Sequence, residues 1–330
     1  MPTNYMSKML LTKGFIRKLS YVTKAIITKP KWIILFVIGR FQVVRSIYLA
    51  LSRLHFFPLE LSSHSSCSLF PSLDTKQIVR DLNKDGIFAD FSLPQGTLQD
   101  ILQYVNSSDC FAGGITNLGF KISEKYEIDK MYDQPFYTAR YFNVSSFCPT
   151  VLELVNDPKI QEIATQYIGS RAKYTGASLF WTFPIKGVSH DSDQQHFSQF
   201  HYDIDDYISL RFCFYLTDVN PESGPHVCIR GSHRKKPIFQ AFNFFSRIQS
   251  GQRLAKLYGR EQFIRLEGKP GFGFIEDTFC FHKGNIPKSQ PRLFLQLHFA
   301  ANRYGKAEFH DYREPSTLQS FKHTIPYGSA

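Results

Sequence analysis

Two kinds of apolar spacing divide the chain. Over residues 74–169 apolar positions fall three and four apart. Ile78, Val79 and Leu82 lie between Asp74, a good helix cap, and Gly86; Leu98, Ile101, Leu102 and Val105 follow Thr97; Ile160, Ile163, Ala164, Tyr167 and Ile168 run from Asp157-Pro158 to Gly169. That spacing puts one apolar stripe on a helix, and the flanking residues supply start and stop signals. Three helices are therefore predicted in this half, with one short strand, GIFADFSL, after the first. Further along, the period drops to two. Ile208, Leu210, Phe212, Phe214 and Leu216 alternate with Ser209, Arg211, Cys213, Tyr215 and Thr217, and Leu293, Leu295, Leu297 and Phe299 alternate with Arg292, Phe294, Gln296 and His298. SLFWTFPI, HVCIRG and FGFIED are shorter strand candidates. Short strands broken by turn signals such as Asn220-Pro221-Glu222-Ser223-Gly224 predict an antiparallel barrel or double-sheet jelly roll. Residues 238–259 read as a helix inserted between strands.

The N-terminal pattern is of another kind. Residues 31–54 are strongly apolar, yet Arg40 and Arg45 interrupt them. A spanning helix needs about 20 mostly apolar residues, and one Arg near the bilayer centre costs about 2.5 to 3.5 kcal/mol, so spanning is disfavoured. Three readings stay open: a helix lying in a membrane interface, an organelle-targeting leader, and a helix docked on the body. Residues 61–73, rich in Ser and ending beyond Pro71, read as a linker. The expected organisation is a basic, apolar segment over 1–60, this linker, a catalytic domain over 74–301 and a C-terminal extension over 302–330.

Charge sharpens that division. The 330 residues carry a formal charge of +11, but residues 1–55 hold ten of the 39 basic side chains and no acidic one. The remainder is nearly neutral, with 29 basic against 28 acidic residues. A body of that balance lacks the basic face of a nucleic-acid binder. The six cysteines are scattered, and Cys213, Cys228 and Cys280 lie in apolar runs, which suits buried thiols in a reducing, cytoplasmic setting.

The candidate chemistry lies in QFHYDIDD, residues 199–206, where His201 and Asp203 flank a single residue. On an extended chain positions two apart project to the same side, so both could reach one ion. His-x-Asp alone is a weak motif. It gains weight from GFGFIEDTFCFHKGNIPKSQPRLFLQL, where His282 ends a strand-like run and Arg292 opens the next strand. Two histidines and one carboxylate suit a facial triad on Fe(II), leaving three adjacent positions open. Asp205 and Asp206 cannot both also reach the metal: they orient its ligands, meet the substrate, or sit in a solvated turn. His226, in GPHV, is a candidate pocket residue; His233, in a basic GSHRKKP turn, reads as a turn residue beside charges that could meet an anionic substrate. His190, Asp191, Asp193 and His196 read as a polar rim.

The order His-x-Asp, distant His and Arg, with ESGPHVCIRGSHR between and HKG before Arg292, resembles the phytanoyl-CoA dioxygenase family of Fe(II)- and 2-oxoglutarate-dependent dioxygenases. The resemblance covers about Asp74 to Ala301 and is strongest from Trp181 to Phe299. It implies a mainly β fold with flanking helices around a double-stranded β-helix (jelly roll, cupin-like) core. It also implies metal ligation by His201, Asp203 and His282, a clamp by Arg292 on the distal carboxylate of 2-oxoglutarate, and hydroxylation of a small-molecule or lipid or acyl-type substrate with O2. Related halogenases replace the aspartate with a small residue; this chain keeps Asp203, which favours hydroxylation. Many relatives carry a hydroxyl two residues after the arginine, where this chain has Phe294, so the second anchor for the co-substrate is open. A cupin-like module that binds metal without turnover, and a membrane-surface protein using the barrel as a scaffold, are the rival accounts.

Overall fold

The computed structural model describes residues 30–54, 67–131, 136–184, 199–242, 247–304 and 312–321. Its strands, in chain order, are β1 (Ile87–Ser92), β2 (Asp109–Ala112), β3 (Gly119–Lys121), β4 (Thr138–Tyr141), β5 (Lys173–Thr182), β6 (Ser209–Tyr215), β7 (His226–Ile229), β8 (Phe263–Leu266), β9 (Phe272–Asp277), β10 (His282–Gly284) and β11 (Arg292–Ala300). An eight-stranded sheet runs β1-β9-β6-β11-β5-β4-β2-β3, and a three-stranded sheet runs β10-β7-β8; every ladder is antiparallel. This is the jelly roll that the alternating runs predict.

Alternation in the central strands separates two buried environments rather than core from solvent, since all seven residues of β6 are buried. Leu210, Phe212 and Phe214, with Leu293, Leu295 and Leu297, join a core that includes Ile78, Leu82, Ile160 and Ile163 from the covering helices. Cys213, Tyr215, Phe274 and Phe294 face inward and pack with Cys228 and Leu266 of the small sheet. Burial of this kind stabilises by about 25 cal/mol per Å² of apolar surface, so both faces hold the strand in register.

The predicted helices form with small shifts. The helix Thr75–Asp85 starts where the Asp74 carboxylate accepts from the Gln77 N–H and stops at Gly86, whose φ is 72°. The helix Pro158–Ile168 lies between Asp157 and Gly169, as read. The second helix runs Gln95–Ser107 and is capped by Pro94, not Thr97; the extended Pro94 offers its carbonyl to the Leu98 N–H (3.0 Å), and Thr97 sits buried in the first turn. Residues 238–259 do not form one helix: Ile238–Ala241 and Gly251–Tyr258 are separate. Between them Gln249 pairs with Phe200 as a β-bridge, which draws the chain out of helical geometry. The first half holds β2, β3 and β4 besides β1; at three or four residues each they are too short to show a period.

At the N-terminus, helices Pro30–Ile38 and Gln42–Leu54 meet at a bend of 118°, and among the described residues no single helix is long and apolar enough to cross a membrane. Arg40 and Arg45 are both buried, so neither serves as an exposed anchor for a membrane interface. Arg45 donates to the Asp206 carbonyl (2.9 Å), lies 3.7 Å from the Asp277 carboxylate and stacks 3.8 Å over the Phe279 ring. Tyr48 stacks on Tyr207, with ring centroids 4.6 Å apart. The helix Gln42–Leu54 is therefore docked on the body through its polar face.

Candidate metal and co-substrate site

The small sheet continues one strand beyond β10, because His201 and His282 exchange backbone hydrogen bonds of 3.0 and 2.8 Å as an antiparallel bridge. That pairing places the two imidazoles edge to face, with centroids 4.6 Å apart. The Asp203 N–H donates to the Thr278 carbonyl (2.8 Å), which keeps the chain extended through the next turn. Tyr202 points the opposite way, into a buried slot between Phe279 and Phe281. Alternation along an extended chain thus puts His201 and Asp203 on one side, as the spacing implies.

One donor atom from each of His201, Asp203 and His282 lies within 4.8 Å of the others, and all three residues are buried. Each imidazole is oriented from behind. His201 Nδ1 meets the Gln199 carbonyl at 2.8 Å and His282 Nδ1 meets the Cys280 carbonyl at 3.0 Å. A carbonyl only accepts, so Nδ1 carries the proton and Nε2 keeps its lone pair, the tautomer a metal needs. Burial pulls the His282 pKa down to about 4, which keeps it neutral. For Asp203, burial pushes the pKa up, but the Arg211 guanidinium beside it outweighs this and holds the carboxyl well below the carboxylate range. Two imidazoles and one ionised carboxylate are a donor set that fits Fe(II).

Arg211 and Asp205 answer what the acidic cluster does. One Arg211 Nη donates to Asp203 Oδ2 (2.6 Å) and to Asp205 Oδ2 (2.9 Å), while its Nε donates to His298 Nδ1 (3.2 Å). Asp206 turns away: its buried carboxylate accepts from Asn302 and from the Tyr207 N–H, and burial raises its pKa to about 6. Neither residue is a solvated turn. Glu276 is a residue that the sequence pattern did not single out. It accepts from His226 Nε2 at 2.8 Å and lies 3.9 Å from His282 Nδ1, and the His226 ring stacks 5.5 Å from that of His282. His226 therefore does line the pocket.

These groups open on a cavity of about 540 Å³, within the range of small-molecule sites. Arg292 enters it from the start of β11. The register Arg292↔Thr182↔Thr138 sets two hydroxyl-bearing residues on the same row as the guanidinium, and all three line the cavity. Arg292 donates to the Gly224 carbonyl, and its buried Nε has no hydrogen-bond partner among the described residues. Burial lowers its pKa. A buried cation with an orphaned donor is a fit for a carboxylate ligand. Phe294 turns its ring to Phe180 and offers no hydroxyl.

Three more arginines, which the sequence pattern did not single out, line the cavity: Arg140 from β4, Arg247, and Arg313 from the C-terminal stretch. Arg313 is carried there by Asn143, whose side chain accepts from its N–H (2.6 Å) and donates to its carbonyl (2.8 Å). The basic GSHRKKP turn is elsewhere: His233 is buried against Gly86 and Cys280, and the half-buried Lys236 lies over the rings of Tyr202, Phe279 and Phe281. It does not greet a substrate in this cavity. His190, Asp191, Asp193 and His196 lie outside the described residues. All six cysteines are free thiols.

The model of the phytanoyl-CoA dioxygenase (PhyH) family matches residues 129–290, a span that holds β4 to β10 and the three clustered donors. Residues 129–290 are thus a phytanoyl-CoA dioxygenase-type domain by that match. It is accordingly a non-haem oxygenase of the class that uses Fe(II) and 2-oxoglutarate. No curated protein sequence matches it. Solved structures similar to it include EctD from S. alaskensis with 2-oxoglutarate and 5-hydroxyectoine, at 18% identity over 75% of this chain and 87% of that one, with a TM-score of 0.46. The non-haem epimerase SnoN from nogalamycin biosynthesis is 15% identical over 71% of this chain and 88% of its own, with a TM-score of 0.46. HygX from Streptomyces hygroscopicus, with nickel, 2-oxoglutarate and hygromycin B, is 12% identical over 68% and 86%, with a TM-score of 0.45. At such values none of their substrates carries over to this chain.

Proposed function

We propose that His201, Asp203 and His282 hold one Fe(II), that Arg292 grips the distal carboxylate of 2-oxoglutarate, and that the enzyme hydroxylates a small organic substrate bearing an acidic group. The observation that carries this reading is the convergence of three donor atoms within 4.8 Å, beside a buried guanidinium with a free Nε. With iron bound, the class chemistry is C–H + O2 + 2-oxoglutarate → C–OH + succinate + CO2. The chain's own groups bind, orient and shield. The carbonyls of Gln199 and Cys280 fix the imidazole tautomers, and Arg211 keeps Asp203 ionised and aimed. Thr182 stands across from Arg292 and is the candidate second anchor for the co-substrate carboxylate, in the role that Phe294 cannot fill. Phe180, Phe294 and Phe142 exclude water from the cavity wall.

The acidic group of the substrate is inferred from Arg140 and Arg313. Among the described residues that line the cavity, Arg140, Arg247 and Arg313 join Arg211 and Arg292, and Asp203 is the one carboxylate; a wall of that charge favours an anionic ligand.

The test is anaerobic addition of Fe(II) and 2-oxoglutarate to the full chain, followed by a substrate screen for succinate release that pairs each acid with its methyl ester. The reading expects a visible charge-transfer band, its loss in His201→Ala and Asp203→Ala, and preference for acids over esters. A band that survives His201→Ala would sink the ligand assignment. Esters turning over as well as acids would sink the substrate class alone.

A further inference from the structure

Among the described residues, the N-terminal helices meet the body through one side. In the helix Gln42–Leu54, Arg45 and Tyr48 face the body, while Val43, Ile47, Leu51 and Leu54 recur four, four and three residues apart and each keeps more than half of its surface exposed. Ile34, Val37 and Ile38 repeat the pattern on the preceding helix. At the bend, Phe41 packs edge to face on Phe242, with centroids 5.3 Å apart, so the largely exposed Phe242 and its neighbour Ile238 continue the same apolar surface. Large exposed apolar side chains at strict helical spacing mark an interaction face, because single exposed apolar residues would scatter.

Charge decides the occupant. Residues 1–31 contribute Lys8, Lys13, Arg17, Lys18, Lys24, Lys29 and Lys31, and the first acidic residue in the chain is Glu60. Arg40 and Arg45 are committed to the body, and Arg53 donates to Asn83, so this surplus lies in the segment that leads directly into the apolar face. An acid-free basic stretch joined to an apolar helical stripe is complementary to a surface that is negatively charged outside and apolar just beneath. We propose that this face lies on an anionic phospholipid bilayer, with the stripe Val43-Ile47-Leu51-Leu54 inserted at headgroup depth and the positive charge of residues 1–31 adding electrostatic attraction. The docked polar side would then hold the catalytic body against the bilayer without any spanning segment.

The test is flotation of the full chain with vesicles of phosphatidylcholine alone and of phosphatidylcholine with one-third phosphatidylglycerol, at low and high salt. Binding is expected to the anionic vesicles and to fall with salt. It should weaken roughly tenfold or more in the triple variant Val43→Ser, Ile47→Ser, Leu51→Ser, and by a similar factor when the six basic residues of 1–29 are replaced by Gln. Iron and 2-oxoglutarate binding, read on the same samples, should be unchanged in both variants, which separates this proposal from the metal-site reading. Equal flotation of the triple variant and the parent would overturn it. So would absence of flotation together with a dimer that the triple variant converts to monomer, since a second copy would then cover the face.

Discussion

Arg211 stands where the metal site meets the fold. Its guanidinium spans Asp203 and Asp205 and reaches His298, so it fixes a proposed metal ligand by planar, two-sided hydrogen bonding. A lysine keeps the charge but loses the fork. Arg211→Lys should therefore weaken Fe(II) affinity roughly 10- to 100-fold, the usual cost of a lost outer partner, while near-UV circular dichroism stays that of the parent; affinity within twofold of the parent would show that Asp203 is held by the backbone alone. Lys236 makes a separate argument. Burial pulls its pKa down to about 7 from the ordinary lysine value of 10.5. Between those values the unfolded chain binds more protons than the folded one, so the stability of the parent rises with pH across that window and the burial penalty is fully present below it. Lys236→Met removes the titration. Its melting temperature relative to the parent should accordingly climb as pH falls from 10 to 7 and flatten below 7; a pH-independent difference would place the ammonium in water.

Strand register carries what residue type cannot. The row Arg292–Thr182–Thr138 and the row His298–Arg211–Glu276 exist only because β11 pairs with β5 and β6, β5 with β4, and β6 with β9. Thr182→Val should raise the Kd for 2-oxoglutarate several-fold in titrations of the charge-transfer band and leave iron affinity unchanged, about 1 kcal/mol for a lost hydrogen bond; no change would return the search for the second anchor to Thr138. Gly86, between the helix Thr75–Asp85 and β1, is a tight junction: its φ is 72°, and an added Cβ would stand 2.4 Å from Cys280 Sγ and 2.5 Å from His233 Nδ1. Gly86→Ala combines left-handed strain with overpacking and should cost roughly 2 to 4 kcal/mol in urea unfolding. This is also the scale on which legibility divides. His201, Asp203, His282 and Arg292 could be picked out because each sits at a fixed offset from a strand-like run. Arg211 could only be read as part of a polar face, Glu276 as the end of FGFIED, and Arg313 not at all. Their meaning comes from cross-strand partners and from a clasp by Asn143 that spans 170 residues, none of which a one-dimensional period contains. The three short strands β2 to β4 were illegible for the same reason, since three or four residues pair by proximity rather than by pattern.

At the scale of the whole molecule, the basic N-terminal segment and the catalytic body are physically joined at Arg45. By position in the sequence, residues 1–60 are a segment apart from the catalytic domain over 74–301. The contacts argue otherwise. Arg45 meets Asp277 and Phe279, Asp277 accepts from the Tyr167 hydroxyl (2.6 Å) and the Phe279 N–H (2.8 Å), and three residues past Phe279 the chain reaches His282. A helix of 13 residues is marginal by itself in water, so its order depends on this docking. Removing one partner of a buried charge pair costs about 3 to 5 kcal/mol, and the 3.7 Å separation here puts the effect at the lower end. Arg45→Met should therefore lower the melting temperature by several degrees, open the N-terminal helices to limited trypsin digestion, and weaken Fe(II) binding modestly through the loop Asp277–His282. Deletion of residues 1–55 should do all three more strongly. If the deleted protein instead melts with the parent and binds iron as tightly, the body is a self-sufficient catalytic unit and the contacts of Arg45 serve only to hold the N-terminal face in place.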